Sequence, residues 1–415
     1  MKITILSTGS RGDLQPYIAL GKALRQKGQQ VQIATLLDFQ EFVRAHGVNY
    51  FPVKGQLSSL LKSDMVTNAK KVDNPLKFFQ SFRELSNYAG ELQSDLFDAC
   101  VGSDLIIYHP GAAIGYFAAR KMGVPAVLAS PFPMTPTSEY PALIFYHFPR
   151  LGRYYNKFTH QIFENVMWMA SKNPLKKFWI DKFGKPPEDF SCPYRQQNYE
   201  KFPTIISCSQ HIFANPKDWP DHIYNTGYWF LDEEPGWIPP PALLNFLHQG
   251  SPPVYVGFGS VTDANLAKEN LKLVIEGLRM AGRRGVLSLG GQTEKYVAED
   301  IFFLDDVPHS WLFPQMSVVI HHGGAGTTAA GFRAGVPSVI IPHSNDQFAW
   351  GKRVFELGVG SKPIPRKKLT SERLAAAIRY ALQDEVKKAA TNLGKKIQNE
   401  NGADHGAKII LDIIQ

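Results

Sequence analysis

The chain of 415 residues is long enough for two or three domains and carries a net charge of +8. No segment concentrates lysine and arginine, which argues against a nucleic-acid partner, and the mild excess suits an anionic ligand, an anionic membrane surface or simple solubility. The three cysteines form no CxxC pair, so we expect neither a zinc site nor a disulfide framework, and we expect a cytoplasmic, reducing compartment.

The N-terminal segment begins a strand at once, so we expect no signal peptide. No apolar run approaches the ~18 residues that a membrane-spanning helix needs. Any membrane contact is therefore expected to be peripheral.

The first third of the chain alternates strand and helix patterns. "KITILST" predicts a strand, "GSRGDLQP" a turn, "YIALGKALRQKG" a helix that Gly28 closes, and "QVQIAT" a second strand. "DLIIYHP", "GAAIGYFAARKMG" and "VPAVLAS" repeat the strand–helix–strand order. Such units imply parallel strands, and their repetition predicts a doubly wound α/β domain.

Residues 131–200 interrupt this alternation with a segment rich in Phe, Tyr, Trp and Pro. We expect a loop-and-helix insertion with much apolar surface. Its aromatic side chains either fill the core or line an apolar binding cleft, and the sequence favours neither interpretation.

A second strand–helix series follows an acidic and then proline-rich stretch. We therefore predict an N-terminal domain over 1–229, a linker over 230–250 and a C-terminal domain over 251–415 that ends in helices. Two doubly wound domains of similar size are expected to face a cleft, which is a common place for a ligand.

The stretch "SVVIHHGGAGTTAAGFRAG" predicts a buried strand, a glycine-rich loop and a helix of small residues. Unsatisfied N–H groups and the helix dipole at such a helix start favour an anion, and glycine lets the backbone approach it closely. A diphosphate is the expected ligand, and a tight turn for strand–helix packing is the alternative. Adjacent histidines on a strand point to opposite faces, so a metal site is disfavoured.

Other polar residues follow predicted strands. Asp13 is either a first-turn helix cap or a general base that takes a proton from an acceptor hydroxyl. Asp346 and Gln347 fit a helix start, although an acid beside an amide also suits sugar hydroxyls. Ser260 ends a strand and could reach the diphosphate. The sequence has no D-x-D triplet for a metal-held nucleotide-sugar and no G-x-S-x-G elbow.

Taken together, the motifs resemble those of the sterol 3β-glucosyltransferase family, which are UDP-sugar-dependent glycosyltransferases of the GT-B fold. The resemblance covers nearly the whole chain and rests on "GSRGDLQPYIALGKAL", "TGYWFLD", "VPHSWLFPQ", "HHGGAGTTAAGFRAGVP" and "NDQFAWGKRVFELGVG". It implies two Rossmann-like domains, with the C-terminal helix crossing back to the N-terminal domain.

The resemblance also implies roles for individual residues. Asp13 would be the catalytic base, and His321 would point into the fold. The N-terminal domain would bind the acceptor and the C-terminal domain the UDP-sugar. The donor-binding residues would come from both domains: Ser10, Arg11 and Ser260 near the phosphates or sugar; Asp306, Val307 and His309 around the uracil; His322, Gly324, Ala325, Gly326 and Thr327 at the diphosphate; Asp346 and Gln347 at the glucose hydroxyls; and Ser288 elsewhere on the donor.

The resulting hypothesis is an inverting, metal-independent transfer of glucose from UDP-glucose to the hydroxyl of an apolar acceptor, with a sterol 3β-hydroxyl as the first choice. UDP-glucose would be a co-substrate, and no cofactor or metal is expected. Other polycyclic, phenolic or macrolide acceptors are the alternative. A nucleotide-sugar epimerase and a non-catalytic binding protein are the alternatives from other classes.

Overall fold

A computed structural model describes residues 1–54, 92–232, 237–257, 264–288, 299–304, 307–343 and 346–414, with only the backbone described for 264–270. The chain divides into two compact units, one formed by 1–231 together with 400–415 and the other by 232–399. Each unit is built on its own parallel sheet. The predicted domain boundaries themselves stay a prediction.

The sheet of the first unit has the strand order β3-β2-β1-β4-β5-β6-β7. All of its described pairs are parallel. Its strands are β1 (Lys2–Leu6), β2 (Gln30–Leu36), β3 (Asn49–Val53), β4 (Leu105–Tyr108), β5 (Ala126–Ser130), β6 (Thr204–Ile206) and β7 (Ile223–Asn225).

Helices cover this sheet and extend beyond it. They are α1 (Arg11–Gln26), α2 (Gln40–Ala45), α3 (92–100), α4 (Ile114–Met122), α5 (Arg153–Phe183) and α6 (Pro193–Tyr199). Short 3-10 segments occur at Leu37–Phe39, Pro110–Ala112 and Leu143–Phe145.

Helix α1 begins earlier than the sequence pattern indicates. The segment expected to be a turn, "GSRGDLQP", contains the first turn of α1, and Pro16 lies inside the helix. Ser10 is the N-cap residue, and the backbone N–H groups of Asp13 and Leu14 already donate to the carbonyl of Ser10. Glycine and proline favour a turn, but the cap formed by Ser10 and Asp13 starts the helix at Arg11, and Pro16 in the second turn removes one backbone N–H donor from α1.

The second unit has the strand order β10-β9-β8-β11-β12, also with parallel pairs throughout its described strands. The strands are β8 (Val254–Gly257), β9 (Gly285–Ser288), β10 (Ile301–Leu304), β11 (Val318–His321) and β12 (Ser338–Ile340). The helices are α7 (Pro241–His248), α8 (Ala264–Met280), α9 (His309–Leu312), α10 (Ala325–Ala334), α11 (Asp346–Glu356), α12 (Ser371–Ala381) and α13 (Asp384–Gln398), with 3-10 segments at Phe313–Gln315 and Arg366–Lys368.

Two helices follow the points where the chain passes from one unit to the other, and each packs into one unit. Helix α7 lies inside the predicted linker, yet Leu243 is fully buried and packs in the core of the second unit. The last helix, α14 (Gly402–Ile414), belongs to the first unit, where it packs against α1. The expected return of the C-terminal helix to the N-terminal domain is thereby confirmed.

The insertion at 131–200 is dominated by α5, a helix of 31 residues. Phe163, Trp168 and Trp179 on this helix are buried in the core of the first unit. These three side chains therefore agree with the interpretation in which the aromatic residues of this segment fill the core. Among the helices that the structure describes, none combines the length and apolar character needed to cross a bilayer.

Candidate functional site

Each sheet has a position where the direction of chain winding reverses. In the first unit the chain leaves β1 toward β2 and β4 toward β5, so the reversal lies between β1 and β4. In the second unit it lies between β8 and β11. Open α/β sheets bind ligands in the crevice outside the carboxyl ends of the strands at this position. The loops that follow β1, β4, β8 and β11 are therefore the first places to examine.

The loop after β11 and the first two residues of α10 contain the glycine-rich motif, which we call the glycine loop (residues 323–326). Gly323 has a φ of +92°, and a Cβ atom there would lie 2.7 Å from Cγ2 of Ile340. Gly324 is the N-cap of α10, and it supplies no side-chain cap. Its carbonyl accepts from the N–H of Thr328 at 2.9 Å. The first turn of α10 thus leaves backbone N–H groups available for an anion.

Those N–H groups belong to three of the residues expected to hold the donor. No hydrogen bond within the described part of the chain satisfies the backbone N–H of Ala325, Gly326 or Thr327. Gly326 is exposed, and Ala325 and Thr327 are half-buried. The geometry suits a bound diphosphate, since donors and dipole point the same way.

The two adjacent histidines have different environments. His321 is fully buried, and its Nδ1 accepts from the N–H of Gly323 at 3.1 Å. Burial holds the pKa of His321 well below its ordinary value, with smaller contributions from His322 and His309. His321 points into the fold, as the sequence led us to expect.

His322 lies over the start of α10. A Cβ atom at Gly324 would lie 2.6 Å from Nε2 of His322. Its Nδ1 is buried and has no hydrogen-bond partner among the described residues. Burial lowers the pKa of His322 to about 4, so the ring is neutral at pH 7. A neutral ring here would contribute a hydrogen bond, rather than a positive charge, to a phosphate oxygen.

The start of α11 is next to the glycine loop. A Cβ atom at Gly323 would lie 3.0 Å from the backbone oxygen of Gln347. Oε1 of Gln347 accepts from the N–H of His343 at 2.8 Å, and the rings of His322 and His343 have centroids 6.4 Å apart. Asp346 is the first residue of α11 and is half-buried. The structure thus brings the predicted sugar-binding pair close to the predicted diphosphate site.

Three of the other predicted donor residues, Ser288, Val307 and His309, lie at or after the carboxyl ends of β9 and β10. Ser288 ends β9 in register with Gly257 at the end of β8. The ring of His309 stacks on Phe313 at 4.3 Å and meets Tyr255 edge-on at 5.7 Å. The side chain of Val307 is buried in the core. Ser260 and Asp306 lie outside the described residues.

In the first unit, Asp13 is held by the N-cap of α1. Its Oδ2 accepts from both the backbone N–H and the hydroxyl of Ser10, each at 2.8 Å. A Cβ atom at Gly9, whose φ is +146°, would lie 2.6 Å from the same oxygen. The capping interpretation of Asp13 is therefore seen directly. It does not exclude the base, because Oδ1 has no hydrogen-bond partner among the described residues.

Two further side chains define the surroundings of Asp13. The guanidinium of Arg11 lies 4.7 Å from the ring centroid of Phe42, on the side of α2. His109 follows β4 directly, and its ring packs edge-on against Tyr17 of α1. Sequence reasoning missed His109, although the polar residue that ends the apolar run "LIIYH" was a usable signal.

No group of three or more His, Cys, Asp or Glu side chains able to hold a metal ion occurs among the described residues. All three cysteines are buried, and none forms a disulfide with another described residue. The metal independence of the predicted reaction stays a prediction.

Comparison with known proteins bears on the identity of this site. The Glycosyltransferase family 28 N-terminal domain matches residues 3–141, and the Erythromycin biosynthesis protein CIII-like, C-terminal domain, matches residues 290–413. The chain is 34% identical to Sterol 3-beta-glucosyltransferase UGT80B1 of Arabidopsis thaliana, covering 97% of the chain and 66% of that protein. It is 36% identical to Sterol 3-beta-glucosyltransferase of Penicillium rubens, covering 97% of the chain and 30% of that protein. The chain thus spans less than two thirds of the length of these relatives.

Solved structures share the fold over the full length of the chain. The glycotransferase of kitacinnamycin has a TM-score of 0.73 at 19% identity, with 100% of this chain and 99% of that chain covered. The glycosyltransferase VinC, solved in complex with dTDP, has a TM-score of 0.68 at 18% identity, with 100% and 99% covered. These likenesses confirm the α/β GT-B fold expected from the sequence.

Proposed function

We infer that the chain belongs to the sterol 3-beta-glucosyltransferase family of GT-B glycosyltransferases and that it transfers glucose from UDP-glucose to the hydroxyl of an apolar acceptor, with a sterol 3β-hydroxyl preferred. The transfer is inverting and needs no metal. The observation that carries the donor half is the uncapped start of α10, with His322 over it. The sterol preference is supported by the sterol 3-beta-glucosyltransferases among its relatives. Because glycosyltransferases such as that of kitacinnamycin share the fold, other polycyclic acceptors are also tested.

In this proposal Asp13 takes the proton of the acceptor hydroxyl while the acceptor oxygen bonds to the anomeric carbon. The bond from that carbon to the diphosphate breaks, and its electron pair leaves with UDP. The N–H groups at the start of α10 and His322 stabilise the negative charge that develops on UDP. A helix dipole and fixed N–H donors stabilise this charge without a divalent cation.

The remaining donor contacts are those expected from the sequence. Asp346 and Gln347 bind the glucose hydroxyls, and their position beside the glycine loop supports this role. Ser288 and His309, at the carboxyl edge of the same sheet, contact the nucleotide. We propose roles at the nucleotide for Ser260 and Asp306 as well, on the family resemblance alone.

The protein also makes peripheral contact with membranes in this proposal. Leu151, Tyr154 and Phe158, which we call the exposed apolar patch, are 71%, 92% and 57% exposed. Arg150, Arg153 and Lys157 are exposed between and beside them. Apolar side chains interleaved with basic ones suit an anionic lipid surface, from which a sterol acceptor would be drawn.

The substitution Asp13→Asn tests the catalytic half of the proposal. Asparagine retains an oxygen that can accept the N–H of Ser10, but it cannot take the proton. We expect turnover with UDP-glucose and an acceptor to fall by about 10²–10⁴, with the affinity for UDP unchanged in calorimetric titration. Product masses from a panel of sterol, phenolic and macrolide acceptors identify the acceptor class.

The matched control is Asp104→Asn. Asp104 also accepts a backbone N–H, that of Lys2 at 2.7 Å, but it precedes β4 and so lies at the opposite edge of the sheet. Its variant should keep full turnover. Near-normal turnover in Asp13→Asn would exclude the base role, and a wild-type protein that releases no UDP with any acceptor would exclude the transfer itself.

A further inference from the structure

His109 is a buried histidine at the reversal point of the first sheet. Its backbone N–H donates to the carbonyl of Leu6 at 2.9 Å, which extends the pairing of β1 with β4 by one residue. Asp13 belongs to the loop and helix that follow β1, and His109 begins the loop that follows β4. The crevice where a doubly wound sheet binds its ligand therefore has a carboxylate on one side and an imidazole on the other.

The orientation of the His109 ring is set by its neighbours. Nδ1 accepts from the backbone N–H of Gly111 at 2.9 Å. A backbone N–H can only donate, so Nδ1 carries no proton and the neutral ring has its proton on Nε2. Burial lowers the pKa of His109, and the negative charge of Asp13 acts in the opposite direction. At neutral pH the ring is thus a hydrogen-bond donor through Nε2.

Tyr17 holds this ring in place. The two rings meet edge to face, with centroids 5.7 Å apart and an angle of 81° between their planes. The hydroxyl of Tyr17 donates to the carbonyl of Ala129, which anchors the tyrosine to β5. Tyr17 and Asp13 are four residues apart in α1, so they share one face of the helix. Helix α1 and the packing of Tyr17 therefore fix the positions of the Asp13 carboxylate and the His109 imidazole at the crevice.

Asp13 and His109 do not satisfy each other. Oδ2 of Asp13 is engaged by Ser10, and His109 makes its side-chain hydrogen bond to Gly111. No hydrogen bond joins Asp13 to His109 in the described part of the chain. One acceptor and one donor are thus available to a single ligand group.

We propose that His109 donates its Nε2–H to the oxygen of the acceptor hydroxyl while Asp13 accepts the hydroxyl proton. A hydroxyl has one hydrogen and two lone pairs. The hydrogen goes to Asp13, one lone pair accepts from His109, and the other forms the bond to the anomeric carbon as UDP departs with the electron pair of the broken bond. His109 keeps its proton throughout. Its contribution is orientation of the attacking oxygen, and this inference rests on the proposed function.

Two substitutions separate this role from a merely structural one. His109→Asn keeps an oxygen that can accept the N–H of Gly111 but lacks the distal donor. His109→Gln loses that short contact but carries an N–H near the position of Nε2. We expect His109→Asn to lower kcat/KM for the acceptor by about tenfold to a hundredfold, and His109→Gln to stay within about threefold of wild type.

The measurement uses UDP-glucose with ergosterol as the probe, or with whichever panel acceptor wild type glucosylates. The affinity for UDP-glucose, measured without acceptor, should be the same in all variants. His222→Gln is the matched control, because His222 precedes β7 at the opposite edge of the sheet and bonds Asn198. It should behave as wild type, and thermal unfolding verifies that each variant is folded.

The outcomes are distinct. A structural role for His109 predicts the reverse order, with His109→Asn active and His109→Gln impaired, and that result overturns the inference while the transfer stands. Equal acceptor kcat/KM in wild type and both variants also overturns it. A wild-type protein that transfers glucose to no acceptor removes the proposed function and this inference together.

Discussion

Gly323 and Gly326 lie three positions apart in the glycine loop, but the structure constrains them differently. Gly323 has a φ of +92°, and a Cβ atom there would lie 2.7 Å from Ile340 Cγ2 and 3.0 Å from the oxygen of Gln347. Gly326 is exposed, and a Cβ atom there meets nothing within 4 Å. Folding therefore requires glycine at 323, whereas at 326 only a ligand that approaches the backbone closely would require it.

This difference yields a prediction at the residue scale. Gly323→Ala should lower the free energy of unfolding by about 1–3 kcal/mol, because it adds both backbone strain and a steric clash. Gly326→Ala should leave stability unchanged or raise it by up to about 1 kcal/mol, since alanine favours the helix.

The substitution Gly326→Ala should weaken UDP binding even though it does not lower stability. The added methyl group would obstruct the approach of the diphosphate, so the affinity of Gly326→Ala for UDP should fall by about tenfold or more. Thermal unfolding and calorimetric titration of the two variants provide the comparison. Normal UDP binding by a stable Gly326→Ala variant would mean that the diphosphate does not lie at this helix start.

At the scale of a single element, helix α5 has both buried and solvent-exposed aromatic side chains. Phe163, Trp168 and Trp179 pack inward, where Trp168 stacks on Phe117 at 5.8 Å. Tyr154 and Phe158 of the exposed apolar patch lie near the start of α5 and are solvent-exposed, and Leu151 directly precedes Gly152, the N-cap of the helix. Exposed apolar side chains that are adjacent to one another suit a contact with a partner surface. The basic residues around them fit the proposed anionic lipid surface.

The prediction for this element concerns vesicle binding. The combined substitution of Leu151, Tyr154 and Phe158 by serine should weaken co-sedimentation with phosphatidylcholine–phosphatidylserine vesicles by about tenfold or more, because three apolar side chains lose their burial. Tyr199→Ser is the control, since Tyr199 is 85% exposed but lies outside the patch. Unchanged vesicle binding, or self-association of wild type that the triple variant abolishes, would contradict the membrane contact.

At the scale of the whole molecule, residues 400–415 return to the first unit and contribute to its core. Helix α14 packs on α1, and Gly406 of α14 lies beside Trp229 and Leu20. Glu400, at the return point, accepts from the hydroxyl of Ser209 at 2.6 Å. Residues 1–231 therefore depend on residues near the other end of the chain for their core.

Two isoleucines of α14 test this dependence. Ile410 is fully buried, whereas Ile413 is 41% exposed. Ile410→Ala should lower the free energy of unfolding of the first unit by about 2–5 kcal/mol, and Ile413→Ala should change it by no more than about 0.5 kcal/mol. Urea unfolding followed by tryptophan fluorescence measures both. Equal, small effects would mean that α14 adds little to the core.

The success of prediction from the sequence follows the range of the interactions involved. Strands β1, β2, β4 and β5 lie where apolar runs predicted them, and the glycine loop lies between a strand and a helix, because these features depend on neighbouring residues. The start of α1 was misread, since Ser10 and Asp13 form a cap that outweighs the glycine and proline around them. His109 was missed, because its relation to Asp13 depends on β4 lying beside β1.

By itself, the sequence determined the doubly wound class, the family resemblance and the buried strand–loop–helix unit around His321 and His322. These features depend on local hydrophobic periodicity and on short motifs. Tertiary structure decided which loops share a crevice. It placed β4 beside β1 and β11 beside β8, and it determined which aromatic side chains of α5 are buried in the core. The physical reason is that strand order and helix orientation arise from pairing and packing between residues far apart in the chain, which no local pattern encodes.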